Sequence, residues 1–361
     1  MRSPLLMIPG PTNLDPQVLE ALSWPSIGHT SPEFHEEFNE LLYLTAKLYK
    51  TKKENVIVYS GSGTLGMEGA VASLIEPDDK VLALITGYFG ERFAEIAEIY
   101  GAKVKRLVYP SGHDVNPEDV KEALEKDEYK AILVTHIETT NGVYNRVEEV
   151  AKVARRYGVL IFVDVVSSLG GAPFYFDNDG YDVAFAGSQK CIAAPPGATL
   201  IAISDRAKEF LENRRTEIKS YYFNLKRWLK VMENPRIYLA TPTIPILRAT
   251  RIALKLLHKE GLENRWRRHE QMAKLVRKGL TELGLELKAR RSSPTITVAK
   301  LGKPIAEKLQ EYVLKKHNVL ISTGIGGESK DVIRIGHMGI VNREMVELTL
   351  SAIEDALKNL N

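Results

Sequence analysis

Between residues 54 and 204, short apolar runs alternate with amphipathic stretches. The runs NVIVYS (55–60), KVLALIT (80–86), KVKRLVY (103–109), AILVTHI (131–137), VLIFVDVV (159–166), DVAFAG (182–187) and ATLIAIS (198–204) have the length and bounding of strands. Segments 64–75, 88–100, 116–126 and 147–157 have helix length; in the last, Val147, Val150, Ala151 and Ala154 share one face and Gly158 supplies a stop. Continuous apolar strands between helices predict an α/β fold whose mostly parallel sheet is covered on both faces.

After residue 205 the pattern changes. Residues 206–233 and 244–284 read as mainly helical, separated by NPRIYLATPTIP (234–245), where prolines at 242 and 245 interrupt regular helix. The strand-like ELKA and TITVAKL, a helix at 304–316, the strands VLIST and VIRIG and a last helix from about 343 predict a smaller α+β lobe. The chain therefore divides into an N-terminal segment (1–14), a large α/β domain (15–250) and a small C-terminal domain (251–361), with a long helix expected at their junction.

With 44% apolar and 26% charged residues the composition is that of a folded globular chain. The net charge is +3, and the short basic run NRWRRH (264–269) reads as a solvated helix face, so no nucleic-acid partner is expected. A single cysteine excludes an intramolecular disulfide and fits a reducing compartment. No apolar run approaches the roughly 20 residues of a membrane span, and the opening MRSPLLMIPGP is too short and proline-broken for a leader. A cytoplasmic protein without a membrane partner is expected.

Candidate chemistry lies at the ends of the strand-like runs. SGSGTLGMEGA (60–70) follows one strand and opens a helix; its glycines let backbone amides approach an anion, and Ser62 and Thr64 add hydroxyls. Its spacing matches neither a Walker A loop nor a dinucleotide fingerprint. Asp164 ends the most apolar run, where open α/β sheets bind ligands and a carboxylate needs a cationic partner. Lys190, in AFAGSQKCIAAPPG, follows another strand end and has no charged neighbour in sequence. Burial would depress its pKa and free the amine to attack a carbonyl. Alone, each feature has a plain structural account: a glycine turn, a capping acid, a surface lysine. Together, a phosphate cradle, a carboxylate and an amine meet the needs of pyridoxal 5′-phosphate.

The same stretches carry a resemblance. PGPTNL, SGSGT, GYFGER, THIETTNGV, VDVVSSLGG, GSQKCIAAPPG, NPRIY and VIRIGHMG, spread over nearly the whole chain, resemble the class V aminotransferases of the fold-type I pyridoxal-phosphate superfamily. The nearest likeness is to alanine–glyoxylate and serine–pyruvate aminotransferases. The resemblance implies that Lys190 joins the cofactor and then shuttles a proton, and that Asp164 keeps the pyridine nitrogen protonated. It implies that Phe89 stacks on the ring, with Tyr88 as the competing candidate, that Val166 packs on the other face, and that the hydroxyl of Thr139 lies beside it, with Thr140 and Asn141 as adjacent alternatives. Phosphate ligands would be Ser62, Gly63, Thr64 (where many relatives have His) and Gln189, joined by Tyr238 and Thr241 from a second subunit, which makes the expected enzyme a homodimer. Arg334 would grip the substrate carboxylate, and Gly10, Gly28 and His29 would line the entrance, to which residues 1–14 contribute. His136 is read as structural.

The activity so implied is ping-pong transfer from alanine or serine to glyoxylate or pyruvate. Cysteine desulfurization is disfavoured, because the single cysteine, Cys191, sits fixed beside Lys190 and reads as packing. Aminotransfer to or from a phosphorylated or phosphonate amine would need further cationic contacts that the sequence does not reveal. A non-catalytic cofactor-binding protein fits poorly with Lys190, Asp164 and Arg334 all being present.

Overall fold

The computed structural model describes residues 3–237, 239–325 and 330–360. Seven strands build the central sheet: β1 (Val56–Gly61), β2 (Lys80–Ile85), β3 (Lys103–Val108), β4 (Ala131–Thr135), β5 (Leu160–Asp164), β6 (Val183–Gly187) and β7 (Gly197–Ile203). Their order is β1-β7-β6-β5-β4-β2-β3. Neighbours are parallel except β7, which runs antiparallel to both β1 and β6. The interior strands β4, β5 and β6 are buried at every position, which is why they read as unbroken apolar runs. β3 closes one edge and carries Lys103 and Lys105 outward, a charge pattern that discourages further strand addition.

This topology brings the C-terminal ends of β1, β2, β4, β5 and β6 to one rim. Register pairs Thr135 with Asp164 and Asp164 with Phe185, so the ends are level. Helices Gly63–Leu74 and Tyr88–Ile99 leave that rim after β1 and β2 and return over the sheet. Two earlier helices, Pro16–Leu22 and Pro32–Tyr49, pack on helix Ile244–Glu260. Each begins with an oxygen-bearing cap, Asp15 or Ser31, followed by proline in the first turn.

The stretch 206–233 is less helical than its pattern suggests: helices Asp205–Glu212 and Leu225–Glu233 flank an irregular passage. Polar anchors hold that passage. Arg214 donates to the carbonyls of Ser73 and Ile75, and Glu76 Oε1 accepts from the amides of Arg215 and Thr216. The long junction helix is also two helices, Ile244–Glu260 and Leu262–Glu282, broken at Gly261 with φ 84°. One apolar core runs from Val18 to Trp266; a second gathers Met7 with residues from Met272 to Ala356. Helix Leu262–Glu282 thus starts in one core and ends in the other.

The second core supports an antiparallel sheet of β8 (Glu286–Leu287), β9 (Ile296–Lys300), β10 (Ser322–Thr323) and β11 (Val332–Gly336), ordered β8-β9-β11-β10. The N-terminal Leu5–Leu6 pairs in parallel with Val319–Leu320, so the start of the chain is built into the C-terminal region. Among the described residues no helix is long and apolar enough to cross a membrane.

Candidate active site

Lys190 stands three residues beyond the end of β6, directly after the Ser188–Gln189 turn, on the rim. Its amine is enclosed, and desolvation pulls its pKa down to about 8. Nζ donates to the carbonyl of Pro9, which arrives from the N-terminal segment. The approach is close enough that a Cβ on Gly10, at φ +86°, would lie 2.5 Å from Lys190 Cδ. Asp164, at the end of β5, is 6% exposed. Burial pushes its carboxyl up to about 7; the Val166 amide, bonded to Oδ1 at 2.8 Å, opposes that, Glu138 adds to it, and Lys190 and Arg92 oppose it. An acid and a base are therefore both held near neutrality by the same dry enclosure.

The turn after β1 forms a cradle. Ser62 caps helix Gly63–Leu74, its Oγ accepting from the Leu65 amide at 3.4 Å, while Thr199 Oγ1 donates to the Ser62 carbonyl at 2.8 Å. Helix starts leave amides without intrahelical acceptors, aimed here at the rim. Gly63 packs on Val166: a Cβ on it would meet Val166 Cγ2 at 2.6 Å. Gln189 Oε1 is buried and has no hydrogen-bond partner. It and the Gly63 nitrogen lie 2.6 Å and 3.1 Å from the point where a Gly187 Cβ would stand, so glycine keeps that corner open. The free helix amides and the Thr64 hydroxyl, which accepts from Arg92 NH1 at 3.2 Å, fit a phosphate group, and Gln189 could add its Nε2 as a donor.

The walls above Asp164 come from two neighbouring loops. Phe89 is half-buried in the first turn of helix Tyr88–Ile99, and Tyr88 is 47% exposed. The Arg92 guanidinium lies 4.8 Å from the Phe89 ring centre and 5.0 Å from that of Tyr88. Thr139 is buried, its Oγ1 2.6 Å from Ser167 Oγ. Thr140 and Asn141 are engaged inside the loop, with Glu138 and with the Thr86 carbonyl.

Arg334 reaches the same place from β11 of the small sheet. Nε donates to the Thr323 carbonyl at 2.7 Å and NH1 to the Thr139 carbonyl at 3.4 Å. Desolvation lowers its pKa, and the Glu138 charge opposes that shift.

Not every residue singled out by sequence lies with these. Gly28 and His29 lie in the loop before helix Pro32–Tyr49, and His29 borders an apolar cavity lined by Ser60, Tyr222, Trp228 and Pro242 rather than by Lys190. Thr241 is exposed on the segment whose Thr243 amide donates to Ser60 Oγ at 2.7 Å, and Tyr238 lies outside the described residues. Cys191 is buried and its thiol pushed up to about 12 by desolvation, which suits packing. His136 is likewise buried, its pKa pulled down to about 3, with Nδ1 2.9 Å from Ser168 Oγ.

Four participants were not foreseen: Pro9, Arg92, Ser167 and Glu138. Glu138 is fully buried beside the site, and its sequence signal is an acid directly after the strand-like run AILVTHI.

Comparison with known proteins follows this geometry. Residues 6–338 match the family described as aminotransferase class V. An uncharacterised aminotransferase of Methanocaldococcus jannaschii is 39% identical over 360 residues, covering 99% of this chain and 93% of the relative. The crystal structure of an alanine–glyoxylate aminotransferase from Nostoc sp. superposes with a TM-score of 0.95 at 34% identity, covering 99% and 96% of the two chains. That of a ureidoglycine–glyoxylate aminotransferase from Bacillus subtilis gives 0.96 at 30% identity, covering 99% and 94%.

Proposed function

The chain belongs to the class V aminotransferases, and from that premise we propose that it transfers the amino group of alanine or serine to glyoxylate or pyruvate. Pyridoxal 5′-phosphate is its cofactor. When bound, it supplies the aldehyde that takes up the amino group and the ring that withdraws electrons from the substrate carbon. The observation that carries the reading is the meeting of the enclosed Lys190 amine, Asp164 and the free amides at the start of helix Gly63–Leu74 on one rim, with Arg334 reaching the Thr139 carbonyl beside it.

The side chains divide the work by their chemistry. Lys190 Nζ, with a pKa drawn down to about 8, can accept a proton from the substrate α-carbon and return it one step later. Asp164, desolvated, gains most from a cation and would hold a proton on the ring nitrogen. Gln189, the amides of Gly63 and Thr64 and the hydroxyls of Ser62 and Thr64 would hold the phosphate, with Phe89 and Val166 on the ring faces and Thr139 beside them. Arg334 presents a planar fork that suits the carboxylate shared by amino acid and oxo acid, so one grip serves both halves of a ping-pong cycle. Gly10 keeps the N-terminal segment close over Lys190.

Glyoxylate as acceptor is supported by its place in the names of both solved relatives, whose donors differ. A homodimer is supported by the exposure of Thr241, which could then serve a neighbour's phosphate with Tyr238. The test is a single-turnover panel in which the loaded protein meets one amino acid at a time and the visible absorbance is followed. Alanine and serine should discharge the colour and yield pyruvate or hydroxypyruvate, and glyoxylate should restore it. A panel in which only ureidoglycine reacts would reassign the donor, and one in which nothing reacts would end the proposal.

A further inference from the structure

Helix Tyr88–Ile99, which carries Phe89, starts at Gly87 and has no capping side chain of its own. Its first free amides are served from elsewhere in the chain: Glu138 Oε2 accepts from Phe89 N at 3.1 Å and from Gly90 N at 3.2 Å. The other oxygen faces the opposite way. Oε1 accepts from Thr140 N at 3.1 Å and from Thr140 Oγ1 at 2.5 Å. The carboxylate is 0% exposed, and it lies against Gly87, where a Cβ would come within 2.5 Å of Glu138 Cγ and 2.7 Å of Cδ. Between its two ends lies Thr139, whose hydroxyl meets Ser167, three residues beyond Asp164, and whose carbonyl meets Arg334.

We propose that Glu138 is a positioning residue, a two-sided clamp that fixes the aromatic wall at Phe89 and the hydroxyl wall at Thr139 at one spacing across the cofactor ring. The inference rests on the aminotransferase reading of this site. A buried carboxylate is a poor filler, because an apolar side chain of similar size would be easier to desolvate. Four donors and a helix N-terminus make it serviceable here, since both favour an anion. Burial pushes the Glu138 carboxyl up, and these hydrogen bonds oppose that; its charge is felt by both Asp164 and Arg334, the groups that would hold the two ends of the reacting system.

Two substitutions test the clamp. Glu138→Gln keeps the shape but offers one acceptor oxygen in place of two, so one wall loses its anchor. Gly87→Ala leaves the charge and displaces the carboxylate; the backbone there, at φ 169°, accepts alanine. Each should weaken pyridoxal phosphate binding about tenfold, the loss expected for hydrogen bonds to a charged group. Each should also diminish the visible circular dichroism of the bound cofactor and lower kcat about tenfold or more, with the amino-acid KM moving less than threefold. The double variant should lose less than the product of the single losses. Wild-type dichroism, affinity and kcat in both variants, with only the melting temperature lowered, would reduce Glu138 to a structural acid. If instead the dichroism changes as expected while no amino acid discharges the wild-type enzyme, the clamp stands and the assigned activity falls.

Discussion

Gly63→Ala probes the cradle most directly. Gly63 opens a regular helix, so alanine meets no backbone penalty there, and the consequence is steric. The added Cβ would lie 2.6 Å from Val166 Cγ2 and 3.2 Å from Cγ1. Carbon atoms rest at about 3.5–4.0 Å, so Val166 must retreat by roughly 1 Å. A β-branched side chain has few rotamers in which to do so. Overpacking of this kind costs about 1–3 kcal/mol. Because Gly63 and Val166 pack together where the phosphate and ring of the cofactor are proposed to bind, the cost should appear in cofactor affinity, weakening it about 5- to 150-fold. Titration of the apoprotein with pyridoxal phosphate, followed by absorbance or fluorescence quenching, measures this. Val166→Ala removes both opposing methyls, so the double variant should recover about 1 kcal/mol or more of the loss. If Gly63→Ala binds within twofold of wild type, or if the two losses simply add, the cradle is not built as described.

Asp164→Asn should retain cofactor and lose most turnover, because the amide cannot stabilise a protonated ring nitrogen; near-normal kcat would refute the role. Arg334→Ala should raise the KM of every amino acid and oxo acid steeply while cofactor absorbance is kept, and an unchanged KM would remove Arg334 from the site. His337 is buried between Thr297 Oγ1 and the Pro294 carbonyl, and desolvation holds its pKa down to about 3. The unfolded chain takes up this proton near pH 6.5 and the folded one only near 3, so the contribution is complete above 6.5 and lost as pH falls. His337→Gln should therefore flatten the acid side of the stability profile by about 1.4 kcal/mol per pH unit between pH 6 and 4, read from urea midpoints. Parallel profiles for the two proteins would contradict it.

Why some of this was legible in the sequence follows from what periodicity records. Strands buried on both faces must be continuously apolar, so β4, β5 and β6 stand out, and with them the rim on which Asp164 and Lys190 lie. Helices Pro16–Leu22 and Pro32–Tyr49 received no assignment, although Asp15-Pro16 and Ser31-Pro32 are start signals. The irregular passage after Glu212 escaped because its anchors, Arg214 and Glu76, lie far apart in sequence and leave no local mark. Glu138 and Arg92 escaped for a similar reason. Each acts through partners at distant positions, and on its own each looks like an ordinary charged residue. Only the folded rim reveals Pro9, which contributes a backbone carbonyl and no distinctive side chain.

The pairing of Leu5–Leu6 with Val319–Leu320 has a practical corollary. Four residues beyond that short ribbon, Gly10 packs against Lys190, so a stretch anchored in the small sheet's region reaches the proposed active site. Removing residues 5–10 would therefore take away both the ribbon and the Pro9 carbonyl that Lys190 Nζ meets. The Asn318 side chain secures the same ribbon by donating to the Ser3 carbonyl at 3.2 Å.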